Sequence, residues 1–294
     1  MYSGSTLTKY SGRVMGAHQK IDRVARKHLG KVVGTQESFP GIREILHFEG
    51  KNGPDAIKRK SPAKDELWHY FDPFDDDDTQ IFSIIDNHYR QLVTELKDHN
   101  QERISFEAAW LAHGIVDGLT PAHHYPYEKE LTALRGGEGI EGRTTIREKL
   151  VMPGANKREQ VKNNWRMWGP KGLMSTHALF EFGVASIIAP LSFSDVLPTL
   201  HDLKTVEKIG VVEQFRRTAR EIAVLDMYVR YQEKGWTPKL AYEVRHKLGP
   251  LIIKCVTLSW YAALVDAKQV NPTEVHENHS RKSRRKNLPK PQNV

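Results

Sequence analysis

The segment Ala109-Trp-Leu-Ala-His-Gly-Ile-Val-Asp-Gly118 constrains this chain more than any other. Apolar residues lie on every side of a helix drawn through it, so the helix is expected inside the protein, and it takes two ionisable groups in with it. His113 and Asp117 stand at i and i+4 and project from one face. Ser175-Thr-His-Ala-Leu-Phe-Glu-Phe-Gly183 repeats the arrangement with His177 and Glu181. Either pair alone reads equally well as a hydrogen bond on a helix surface. Burying two such pairs needs compensation, which a divalent cation bound by histidine and carboxylate supplies.

After Asp117 the sequence continues Gly-Leu-Thr-Pro-Ala-His-His-Tyr-Pro-Tyr. Pro121 ends the helix and turns the chain back, so a third donor comes near the first two. Chemistry alone leaves His123 and His124 as alternatives. The single Cys255 sits among Leu251, Ile252, Ile253 and Val256 and reads as a core thiol. A zinc site here therefore uses histidines and carboxylates.

Apolar spacing is helical along almost the whole chain and no strand alternation stands out, so the expected class is all-α with long loops. Helices are expected over residues 14–29, 42–48, 104–119, 157–168, 174–188, 206–233 and 238–267. Another carries Ile81, Ile84, Ile85, His88, Leu92 and Leu96 on one face, with the acidic run Asp75–Asp78 capping its start. Residues 1–12 read as a flexible start, 13–270 as one helical domain and 271–294 as a disordered basic tail.

The net charge of +8 is concentrated at the end: residues 280–294 hold six Lys or Arg and no acid, leaving about +2 for the rest. The tail is expected as a solvated terminus, with an anionic membrane surface or nucleic acid as its alternative contact. The apolar run at residues 183–191 spans nine residues and contains Pro190, short of the roughly 20 a membrane helix needs. Together with a start free of any long apolar stretch, this reads as a cytoplasmic chain.

The ordered spacing His113-x3-Asp117-x5-His123, then His177-x3-Glu181, resembles the core signature of the zinc-dependent phospholipase C family, which shares its helical fold with the single-strand-specific zinc nucleases. The resemblance covers roughly residues 14–185 and selects His123 over His124. It also implies ligands at His18 in Met-Gly-Ala-His, Asp55 in Gly-Pro-Asp, and His69 in Trp-His-Tyr-Phe-Asp-Pro. In the family's pattern one zinc would take Asp55, His69, His113 and Asp117, and a second His123, His177 and Glu181. A third would take His18 and Asp117 with an N-terminal tryptophan. No tryptophan precedes His18 here, so two or three Zn2+ ions are implied.

The resemblance further implies hydrolysis of a phosphodiester substrate, most closely a phospholipid head group, by a metal-bound hydroxide, with Asp55 as ligand or base. A nuclease, a small phosphodiesterase and a metal-stabilised, non-catalytic interaction protein are the alternatives. Trp68, Tyr70, Phe71, Tyr125 and Tyr127 cluster in sequence around the ligands as cleft or packing residues. His28 and His88 read as structural, and so does the doublet His201-Asp202, which lacks the partners of an HD phosphohydrolase.

Overall fold

The computed structural model describes residues 16–34, 38–49, 53–54, 70–139, 143 and 145–286. Asp55, His69 and Trp68 lie outside the described residues, as do positions 1–15 and 287–294. Among the described residues every regular element is helical, so the fold is all-α.

The centre of the bundle is α13 (Gly249–Asp266), whose Ile252, Ile253, Val256, Leu258, Trp260, Tyr261 and Leu264 are buried around its whole circumference. A helix apolar on all sides is stable only when neighbours surround it. Here α1 (Ala17–Val33), α3 (Gln80–Asp98), α4 (Gln101–Gly118), α9 (Leu200–Ile209) and α10 (Val211–Ala223) pack against it. The Trp260 indole N–H donates to the Ala108 carbonyl of α4 at 3.1 Å, which fixes the relative height of two core helices.

This central helix continues α12 (Pro238–Glu243) through a π turn at Val244–Leu248. Pro250 has no N–H to return to the carbonyl four residues earlier, and the bond register slips by one residue there. One 18-residue window within Pro238–Asp266 is long and apolar enough to cross a membrane, and 78% of it is buried inside the protein. The apolar run at residues 183–191 is thus not the segment of greatest apolar length. The longer one is core.

Helix α2 (Ile42–Glu49) lies against α4 and α1, while α8 (Leu173–Ile188) lies against α1 and the 3-10 turn Pro121–His124. Helices α5 (Tyr127–Leu134), α6 (Ile146–Leu150) and α7 (Lys157–Trp168) form a smaller outer layer with its own core of Tyr127, Leu131, Leu134, Met152 and Met167.

Three sequence expectations require correction. Residues 206–233 are not one helix: the chain breaks at Gly210, φ 79°, and at Asp226, φ 48°, giving α9, α10 and α11 (Met227–Lys234). The acidic run does not cap α3, which starts at Gln80 with no acid in its first turn. Asp76 instead pairs with Arg220 at 2.7 Å and Arg216 at 3.3 Å, and Asp75 and Asp78 accept backbone N–H groups within their own loop. Finally, the supposed tail begins as α14 (Pro272–Lys286), held by buried Val275 and by His276 against Glu207 at 2.9 Å.

Candidate metal centre

Two helices supply most of the site because of the spacing already visible in sequence. In α4 the i, i+4 pair puts His113 Nε2 3.2 Å from Asp117 Oδ2. In α8 it puts His177 Nε2 3.1 Å from Glu181 Oε1. All four side chains are buried or nearly so.

His18, on the first turn of α1, reaches the other oxygen of Asp117, with Nε2 3.1 Å from Oδ1. Its ring stacks on His113 at 4.2 Å. Asp117 therefore faces a different histidine with each oxygen. His123 comes from the 3-10 turn, which Pro121 starts and a hydrogen bond from the His123 amide to the Thr120 carbonyl closes. Its Nε2 lies 2.9 Å from Glu181 Oε1, and its Nδ1 lies 3.9 Å from Asp117 Oδ1.

The result is two adjoining groups, His18/His113/Asp117 and His123/His177/Glu181, each with one donor atom per residue within 4.8 Å of the others. His123 links them. His124 points elsewhere, its Nε2 donating to the Gly118 carbonyl at 2.8 Å, so geometry separates the two histidines that chemistry left open. Six of the eight sequence candidates meet in this place. The remaining two, Asp55 and His69, are outside the described residues.

These donor sets suit a small divalent cation. Zinc binds imidazole nitrogen and carboxylate oxygen at about 2.0–2.2 Å, which makes neighbouring ligands of a tetrahedron roughly 3.3–3.5 Å apart. The histidine–carboxylate separations of 2.9–3.2 Å within each group need only a few tenths of an ångström of opening. Burial lowers the His123 pKa to about 4, against the opposing pull of Asp117 and Glu181, and a neutral imidazole is the ligand form. Burial would raise the Glu181 carboxyl, but it lies well below its ordinary value, drawn down by the charge of His177 and by hydrogen bonds from His123 and His177.

Two residues of the centre escaped the sequence reading. Glu49, at the end of α2 and fully buried, places Oε1 3.0 Å from His113 Nδ1 and 3.4 Å from His18 Nδ1. Both histidines thus turn Nδ1 to Glu49 and Nε2 to Asp117. A carboxylate placed behind two histidines in this way fixes their ring orientation and tautomer, as it does behind metal-ligating histidines. Asp22 is also buried, and burial together with the charge of Glu49 raises its pKa well above the usual carboxylate range. It had a readable signal: His18-x3-Asp22 repeats the His-x3-carboxylate spacing. Glu49 had a fainter one, as it follows Ile42 and Ile45 on the same helical face.

Aromatic rings close the second group. Tyr70 stacks on Tyr127 at 4.9 Å and 7°, with ring centres 5.2 Å from His123 and 5.8 Å from His177. Phe71 instead packs into the main core. His88 pairs with Glu107 at 2.7 Å, and Asp202 forms the capping box of α9 with Thr199 and an ion pair with Lys254, so His88 and the His201-Asp202 doublet have structural explanations.

No known protein family, curated protein or solved structure matches this chain.

Proposed function

We propose that this chain is a zinc-dependent hydrolase of phosphodiester bonds, most closely of phospholipase C type. The observation that carries the reading is the adjacency of two histidine–carboxylate groups, joined by the 3.9 Å approach of His123 to Asp117. A single structural ion needs one such group. Two neighbouring groups suit a site that clamps both sides of a charged oxyanion.

In this reading His18, His113 and Asp117 hold one part of the cluster and His123, His177 and Glu181 the other. Asp117, with one oxygen toward each of His18 and His113, would hold zinc together with those two histidines. Bound zinc would supply Lewis-acid stabilisation of phosphate charge and bring the pKa of a water toward neutrality. Glu49 holds the His18 and His113 rings with their Nε2 atoms inward. Tyr70 and Tyr127 form an apolar wall that keeps bulk water from His123 and His177. The two groups differ in access: His18, His113 and Asp117 are sealed, whereas the Glu181 side chain retains 13% exposure, so substrate enters from the His123 side. The resemblance adds Asp55 and His69 to the ligand set, with Asp55 as the group that would accept a proton.

The sealed state of the first group also fits a second reading, in which a buried cation merely holds α1, α2 and α4 together. Screening zinc-loaded protein against a chromogenic phosphodiester, phosphatidylcholine and single-stranded DNA separates these readings and the competing substrates. Turnover of phosphatidylcholine, lost on Asp55→Asn, is the expected result. Preference for DNA or for the small diester would replace the lipid assignment. Absence of turnover on all three would leave the structural cation.

A further inference from the structure

Outside the metal centre, the largest unexplained feature is the outer surface of α7 and α8. Helix α7 buries only Met167. Val161, Trp165 and Trp168 stand at i, i+4 and i+7, so they form one stripe, and that stripe faces water with exposures of 70%, 68% and 41%. Two tryptophans and a valine on the outside of a helix reverse the usual pattern, in which the apolar stripe faces the core.

The stripe has neighbours of the same kind. The Trp168 indole N–H donates to the Leu150 carbonyl at 2.7 Å, which sets exposed Leu150 and Val151 beside it. The Ser175 hydroxyl donates to the Trp168 carbonyl at 2.9 Å. Ser175 shares its face of α8 with Leu179 and Phe182, both also exposed. That face is opposite the one that carries His177 and Phe180 into the interior.

Charge identifies what covers this apron. Between residues 157 and 171 the exposed Lys157, Arg158, Lys162, Arg166 and Lys171 are opposed by one acid, Glu159, whose carboxylate is engaged by the Ala155 amide at 2.8 Å. Tryptophan and aliphatic residues interleaved with lysine and arginine match a bilayer interface, where rings enter the head-group boundary and cations meet anionic lipid. A nucleic acid would engage the cations but leave the aliphatic residues in water. Arg166 and Lys171 also line a cavity of about 220 Å³ with Tyr125 and Thr176, the residue before His177. The cationic edge of the surface thus borders the stretch of α8 that carries His177.

We propose that the exposed face of α7 and α8 docks on an anionic lipid bilayer, with Trp165 and Trp168 entering the interface and Lys162 and Arg166 binding head-group phosphates. The face uses none of the metal ligands, so it stands or falls separately from the hydrolase reading.

The test uses the full chain with vesicles of phosphatidylglycerol and phosphatidylcholine, against vesicles of phosphatidylcholine alone. The anionic vesicles should bind the protein more strongly, and brominated acyl chains should quench its tryptophan emission. Trp165→Ser with Trp168→Ser, and separately Lys162→Glu with Arg166→Glu, should each weaken the partition coefficient by roughly tenfold or more. Because both pairs are exposed, circular dichroism should remain that of the unaltered chain. Unchanged binding in both variants, or binding without quenching, would overturn the proposal by assigning adhesion to the basic terminus. Absence of vesicle binding would overturn it too, as would loss of self-association, instead of vesicle binding, in the tryptophan variant. Turnover of the soluble chromogenic diester by the unaltered chain reads the metal centre independently of every one of these outcomes.

Discussion

Glu49→Gln removes one negative charge from the centre while preserving side-chain volume and a carbonyl that still accepts one hydrogen bond. In the native arrangement a single oxygen serves both His18 Nδ1, at 3.4 Å, and His113 Nδ1, at 3.0 Å, in a fully buried setting. Loss of the charge should weaken the hold on both rings and reduce their basicity at Nε2. Outer-shell substitutions of this kind lower metal affinity by about 10–100-fold, or roughly 1.4–2.7 kcal/mol. The metal-free protein should keep its fold, because the glutamine amide has the volume of the carboxylate and can still bond His113 Nδ1, so the apo melting temperature should change little. Competition against a chromogenic chelator gives the first quantity and thermal melts in chelator give the second. Zinc affinity within about threefold of the parent, or loss of affinity together with an unfolded apo protein, would refute the positioning role assigned to Glu49.

A Cβ added at Gly118 would lie 2.5 Å from the Ile81 side chain and 2.6 Å from the Phe215 ring, both buried, so Gly118→Ala should destabilise the fold by about 1–3 kcal/mol in denaturant titration. Gly30→Ala meets nothing nearer than the flexible end of Arg26 at 3.6 Å and should instead stabilise helix α1 by roughly 0.5–1 kcal/mol. Burial lowers the His28 pKa to about 4, so its protonation favours the unfolded chain. Its contribution is complete above the unfolded value near 6.5 and is lost as pH falls from there toward 4. The full shift corresponds to ~3 kcal/mol, reduced to ~1–2 by solvent screening, and His28→Gln should flatten that limb of the stability–pH curve.

The legible parts of the centre were those fixed by helix geometry alone. His113 with Asp117, and His177 with Glu181, needed only a helical period and apolar flanks, and Pro121 announced the turn that carries His123. Glu49 was not legible in the same way, since its charge is explained by His18 and His113, 31 and 64 residues away. Asp76 shows the converse: local reasoning made the acidic run a helix cap, but its partners Arg216 and Arg220 lie 140 and 144 residues distant. Gly210 did carry a local signal, a glycine at a helix end, which the apolar spacing on both sides masked. The beginning of the basic terminus was misread because Val275 and His276 suffice to anchor a helix whose composition is otherwise that of a solvated segment.

The central claim is that zinc occupies both ligand groups, and anomalous diffraction recorded at the zinc edge from zinc-loaded crystals tests it most directly. One peak is expected beside His123, His177 and Glu181 and at least one more beside Asp117 with His18 or His113. Zinc-edge density absent from both groups would contradict it, and a single peak confined to one group would contradict the two-group cluster on which the hydrolase reading depends.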